Sequence, residues 1–146
     1  MKYLGLDLGS VTCGISISET GFIAGTYKTI RFPSDDYDTC LDKILEIIQE
    51  VKPDEIVLGL PYMQNGDIGP RAQICLEFGK QLEIESGLPV HMQDERETTL
   101  ESEEVLIQAD VSRKKRKKVI DQLAAVRILQ RYLDKQLGAD TAPLFE

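Results

Sequence analysis

A chain of 146 residues, 42% hydrophobic and 29% charged, has room for one hydrophobic core, so one globular domain over residues 1–137 and a flexible C-terminal tail over 138–146 are expected. One histidine, His91, and three cysteines with no CxxC spacing leave a histidine metal site or a Ser-His-Asp triad little to work with, and place any catalysis on carboxylates or lysines. The net charge is −8, yet without Arg113–Lys118 the other 140 residues hold 11 Lys and Arg against 25 Asp and Glu, a balance of −14. Cys13, Cys40 and Cys75 each sit among apolar neighbours and are expected as buried, reduced thiols. A charged residue by Asp7 argues against an apolar leader, and no apolar run approaches the ~18 residues of a membrane span, so a cytoplasmic protein without membrane contact is expected.

In chain order, Tyr3 to Leu8, Gly14 to Ser18 and Gly21 to Phe32 read as short strands, with Gly9 and Glu19-Thr20-Gly21 supplying turns. Ser34, Asp35 and Asp36 offer a cap and an acidic first turn to a helix with apolar positions at Tyr37, Leu41, Ile44, Leu45, Ile48 and Val51. Glu55 to Leu60, EIVLGL, reads as a strand covered on both faces and ended by Pro61. A polar loop then reaches Pro70, which opens a helix stopped by Gly87, and Pro89 to Gln93 forms a last strand. Thr98-Thr99-Leu100-Glu101 fits a capping box for a helix to about Ala109, and a final helix runs from Ser112 to Gln136. Three strands, then helix, strand, helix, strand and helices, describe an α/β fold with a mixed sheet and helices on its faces.

Three stretches can carry chemistry. In GLDLGSVTCGISIS one aspartate, Asp7, interrupts an apolar strand, and a buried carboxylate needs a partner such as a divalent cation; the plainer alternative is a turn cap with Gly9 and Ser10. In HMQDERETT the last strand ends in Asp94-Glu95-Arg96, where open α/β sheets hold ligands. Alternation puts Asp94 and Glu95 on opposite faces, so only one meets Asp7; Glu95 is favoured for its longer arm, with Asp94 as the fallback. In SRKKRKKVID, Asp121 shares a helix face with Lys117, Lys118, Ala124, Ala125 and Ile128, and alanines would let that helix approach the sheet; otherwise Asp121 simply pairs with the two lysines.

The run Arg113, Lys114, Lys115, Arg116, Lys117 and Lys118 repels itself unless a polyanion neutralises it. Nucleic acid is the obvious one, and such contacts give affinity without reading sequence. A solvated face and an anionic membrane surface are the alternatives, although no apolar stripe accompanies the cations. The loop GLPYMQNGDIGPR offers Asn65, Gly66 and Gly69 for close backbone approach to phosphate and Arg71 as a fork of donors; it can also be read as a plain surface loop.

Together GLDLGS, GLP...NGDIGPRA, LPVHMQDERETT and SRKKRKKVIDQLAAVRILQRYL resemble the YqgF/RuvX family of Holliday-junction-resolvase-like, RNase H-like proteins described as candidate pre-16S rRNA nucleases. The resemblance spans nearly the whole chain, with departures at Val11, Glu19 and Tyr62, where the family usually carries a basic residue, an aspartate and a lysine. It implies an RNase H-like fold whose five-stranded mixed sheet has its first three strands antiparallel. It also implies that Asp7, Glu95 (or Asp94) and Asp121 converge on divalent metal, with two Mg2+ or Mn2+ ions roughly 3.5–4 Å apart able to activate water and stabilise the leaving oxygen. Arg71, Arg96 and Arg113–Lys118 would then hold the nucleic acid, with Gly9, Ser10, Asn65, Gly66 and Gly69 near its phosphates.

The function so implied is metal-dependent phosphodiester hydrolysis in 5'-end maturation of precursor 16S rRNA, with ribosomal assembly particles as an implied partner. Cleavage of four-way DNA and a non-catalytic RNA-binding or ribosome-assembly role are the alternatives. Branched DNA would favour a homodimer presenting two sites. DLGSVTCGISI also resembles the first phosphate loop of actin-like and sugar-kinase ATPases, but those clasp ATP between two such domains, and 146 residues supply one.

Overall fold

A computed structural model describes residues 1–63, 65–95 and 113–145, with the side chains of 113–121 and 139–145 excepted. The elements are β1 (Tyr3–Leu8), β2 (Thr12–Ser18), β3 (Gly25–Arg31), α1 (Tyr37–Val51), β4 (Glu55–Leu60), α2 (Pro70–Ser86), β5 (Val90–Asp94) and α3 (Arg113–Phe145). The helix expected over 98–109 lies outside the described residues.

The five strands form one sheet in the order β3-β2-β1-β4-β5, with β1, β2 and β3 antiparallel and β4 and β5 parallel to β1. This is the mixed sheet anticipated from the sequence. Its two faces are set by alternation along the strands. Leu4, Leu6, Leu8, Cys13, Ile15, Ile56, Leu58 and Leu60 point to one side and join Cys40, Leu41, Ile44, Ile47, Ala72, Cys75, Phe78 and Leu82 of α1 and α2 in the main core. On the other side Val57 meets Ile128, Leu129 and Leu133 of α3, with Tyr3, Ala24 and Tyr132 at the margin.

Boundaries differ from the sequence reading where side chains or turns take over the backbone hydrogen bonds. β2 starts at Thr12 rather than Gly14, because the Gly9 N–H donates to the Thr12 carbonyl at 2.8 Å and closes the turn that pairs Leu8 with Cys13. β3 starts at Gly25 rather than Gly21. Gly21 has a left-handed φ of 83° and the N–H of Phe22 donates to Thr20 Oγ1. Gln130 of α3 accepts from the Ala24 N–H and donates to the Phe22 carbonyl, both at 2.8 Å, so these groups are satisfied outside the ladder. β5 is shifted one residue on, to Val90–Asp94, since Pro89 has no N–H for the ladder and contributes only its carbonyl, to the Ile56 N–H. α3 continues to Phe145, past Gln136; Gly138, its one glycine, costs a helix interior only about 1 kcal/mol.

The helix ends follow their capping chemistry. Asp36 caps α1 by accepting from the Thr39 N–H at 3.1 Å, and the Thr39 hydroxyl, donating to it at 2.7 Å, joins that N–H in holding its carboxyl below the usual carboxylate range. Gly87, in the left-handed region at φ 72°, ends α2.

Candidate active site

The α3 face of the sheet is built from small residues. Gly5 lies opposite Ser16 in the β1–β2 register, and a Cβ at Gly5 would come within 2.3 Å of Ser16 Oγ and 2.8 Å of Leu129 Cβ. Ser16 Oγ is itself buried and donates to the Ala125 carbonyl of α3 at 2.7 Å. Ala124 and Ala125 are buried there, as the sequence reading of a close helix approach required. The helix backbone therefore rests almost on the sheet, tied to it by one buried hydrogen bond.

Asp7 lies two residues beyond Gly5 on this same face, since Leu6 and Leu8 turn to the opposite core. Its cross-strand partner is Gly14, so no side chain stands beside it on β2. Glu95, the residue after β5, donates its N–H to the Leu60 carbonyl at 3.3 Å and hydrogen-bonds the Asp7 carboxyl through its side chain. Space for Glu95 comes from Gly59: a Cβ there would lie 2.8 Å from Glu95 Oε2 and 2.5 Å from Ile128 Cδ1.

Burial, the Asp7 charge and the hydrogen bond to Asp7 together push the Glu95 carboxyl up to about 9, Asp94 adding to the effect and Arg71 opposing it. All three causes favour the protonated form of the Glu95 carboxyl, hydrogen-bonded to Asp7. A divalent cation could replace that proton, and an all-oxygen donor set suits Mg2+ or Mn2+ better than a soft metal. No group of three or more His, Cys, Asp or Glu residues gathers at one point among the described residues. The third expected acid, Asp121, lies on α3, and its side chain is outside the described residues.

Ala125 and Leu129 lie at Gly5 and Tyr132 lies at Tyr3, so α3 runs antiparallel to β1 and its turns before Ala125 lead toward the Asp7 end of that strand.

Asp94 lies on the other side of the strand from Glu95. It borders a groove of about 490 Å³ with Leu60, Tyr62 and Met92. Arg71, expected at phosphate, places Nη2 on the Leu8 carbonyl at 2.7 Å and Nη1 on the Tyr37 hydroxyl at 2.8 Å. It braces the end of β1 and supplies a cation near the carboxyl pair. Asn65 and Asp67 form a hydrogen-bonded turn, Gly66 takes φ 89° and Gly69 caps α2, so residues 65–67 are held by their own short-range bonds. Gly9 makes the tight turn after Asp7, and the Ser10 carbonyl accepts from the Asp35 N–H at 2.8 Å.

Arg113–Lys118 form the first turns of α3, with side chains outside the described residues, as is the whole of Arg96. The cysteines are buried and unbridged, and burial together with Glu95 raises the Cys75 thiol to about 12, which keeps it protonated.

Sequence reasoning missed Gly59, Ser16, Gly14 and the bracing role of Arg71. A signal existed for Gly59, since a lone glycine inside the apolar strand EIVLGL marks a close approach. Nothing local marks Ser16, whose partner lies 109 residues away.

A protein of Geobacillus sp. (strain WCH70), named a candidate pre-16S rRNA nuclease, is 49% identical over 137 residues, 93% of this chain and 99% of that one. One of the same name from Bacillus subtilis (strain 168) is 48% identical over 92% of this chain and 98% of its own. The fold is shared with Thermus thermophilus RuvC, solved in complex with Holliday junction substrate, at a TM-score of 0.61 and 16% identity over 94% of this chain and 96% of that one. RuvC has the RNase H-like fold that the sequence resemblance implied. The profile of the RuvX family, described as Holliday junction resolvase, matches residues 1–135, and the chain belongs to this YqgF/RuvX family.

Proposed function

We propose that the protein is a divalent-cation-dependent nuclease that hydrolyses phosphodiester bonds in the 5'-end maturation of precursor 16S rRNA. The observation that carries this reading is the Asp7–Glu95 carboxyl pair at the strand ends, with Glu95 raised to about 9 by burial and by Asp7. Two such groups in contact are unfavourable in a free protein and become favourable around a cation. The names of the relatives favour ribosomal RNA over four-way DNA.

Asp7, Glu95 and Asp121 would hold Mg2+ or Mn2+, one ion or two, and Asp94, on the opposite face, would not. The bound ion supplies charge for the attacking and leaving oxygens. The chain's own part is positional. Gly59 leaves Glu95 room, the Gly5–Ser16–Ala125 contact sets the height of α3 and of Asp121, and Arg71 steadies the strand end behind Asp7. Arg113–Lys118 and Arg96 would draw the nucleic acid by its phosphates, against the −15 of the remaining chain, with Gly9, Ser10, Asn65, Gly66 and Gly69 near its path. The setting implied is the cytoplasm, on ribosomal assembly particles, with a homodimer as one possible form; no helix among the described residues is long and apolar enough to cross a membrane.

The test is incubation of the protein with Mn2+ on precursor rRNA and on junction DNA, beside Asp7→Asn and Asp121→Asn variants. Cleavage of the rRNA precursor is expected, falling at least ~100-fold in each variant. Undiminished cleavage by Asp7→Asn sinks the reading, and exclusive cleavage of junction DNA replaces its substrate.

A further inference from the structure

The groove beside the carboxyl pair holds none of the three acids assigned to the cation. It occupies about 490 Å³ at the C-terminal ends of β4 and β5, where Leu60, Met92, Gln93 and Asp94 line it together with Tyr62 and Gly66 of the following loop and Lys135 of α3. That volume lies within the range of small-molecule sites. It lies across the strand end from the candidate site: Asp94 precedes Glu95 on the opposite side, and Leu60, whose carbonyl receives the Glu95 N–H, is part of its wall.

The lining is that of a base pocket. In a mostly polar lining Met92 supplies an apolar edge and Tyr62 an aromatic ring on which a flat heterocycle can stack, while Leu60 is buried in the core beneath. Asp94 brings an acceptor-only carboxylate, Gln93 an amide and Lys135 an ammonium donor. Guanine is the base whose Watson–Crick edge offers two adjacent donors, N1–H and the exocyclic amine, to one carboxylate. Its O6 and N7 are acceptors suited to a lysine or an amide N–H. Adenine, cytosine and uracil each present at most one donor group beside an acceptor, and that acceptor would face the carboxylate unfavourably.

We propose that this groove is a nucleobase pocket that selects guanine in the nucleotide next to the scissile phosphate. The inference rests on the nuclease reading for its account of why a base lies there, but it can be tested without cleavage.

The experiment titrates the Asp7→Asn protein, in EDTA, with GMP, IMP, AMP and CMP, following ligand-observed NMR. GMP is expected to bind about tenfold more tightly than AMP or CMP, with IMP, which lacks the exocyclic amine, in between. In Asp94→Asn the preference for GMP over IMP should disappear, and Tyr62→Ala should weaken both purines. Equal affinity for all four nucleotides in the unaltered groove, or a GMP preference that survives Asp94→Asn, overturns the proposal; the IMP comparison needs no groove variant and so does not depend on one folding. On cleavable oligonucleotides with Mn2+, guanine at one flanking position should raise kcat/KM about tenfold over each other base. Cleavage with no base preference overturns the pocket and leaves the nuclease reading standing. GMP selectivity without cleavage does the reverse.

Discussion

The two faces of the sheet are packed on opposite principles. Under α1 and α2 the strands present leucine, isoleucine and cysteine, and eighteen buried residues form a thick aliphatic layer. Under α3 the same strands present Gly5, Ser16 and Gly59, and among the described residues four buried side chains make the core cluster. The first face holds the molecule together by area; the second brings a helix down onto the sheet so that short carboxylate arms can meet. Asp7 belongs to the second face by one step of alternation from Leu6, and a large residue at position 5 or 59 would lift the helix from it.

This contrast can be broken from either side. Leu6→Ala, at a fully buried site of the thick face, should lower stability by about 2–5 kcal/mol in urea unfolding while leaving the cation affinity of the folded protein unchanged. Gly5→Ala adds one carbon, 2.3 Å from Ser16 Oγ and 3.2 Å from the Ala125 carbonyl. It should cost less, about 1–3 kcal/mol, yet weaken cation binding measured by calorimetry, because α3 carries Asp121. Equal effects of the two variants on cation affinity would mean that the thin face has no special role in the site.

A smaller effect sharpens the electrostatic side. Glu95 has its carboxyl raised in the folded protein to about 9, from an ordinary 4.5. Between those limits the unfolded chain has released a proton that the folded chain keeps. The stabilisation from this proton is complete below about pH 4.5 and is lost as pH rises toward about 9. Urea unfolding in EDTA should therefore show stability falling with pH across that window, by no more than ~1.4 kcal/mol per pH unit, and the slope should flatten in Glu95→Gln.

Much of this was legible in the sequence because it rests on periodicity and punctuation. The strand alternation that separates Asp94 from Glu95, the Gly87 stop and the alanines of α3 all act locally, and each is found where the pattern placed it. The parts that were not legible depend on partners far along the chain. β3 lost its first residues to Gln130, which lies 106 residues from Ala24. Arg71 turned inward because the Leu8 carbonyl and the Tyr37 hydroxyl accept its fork, 63 and 34 residues away. An arginine at a helix start reads the same in sequence whether it braces a strand or binds a phosphate; only the acceptors distinguish them.

The claim on which the rest depends is that Asp7 and Glu95 form a cation site now bridged by a proton. Calorimetric titration with Mn2+ at pH 7, in two buffers of different ionisation enthalpy, reads affinity and proton release together. The expected result is binding accompanied by release of about one proton, with affinity lost in Asp7→Asn and proton release lost in Glu95→Gln. Mn2+ binding that is absent, or that persists unchanged in Asp7→Asn, would contradict it.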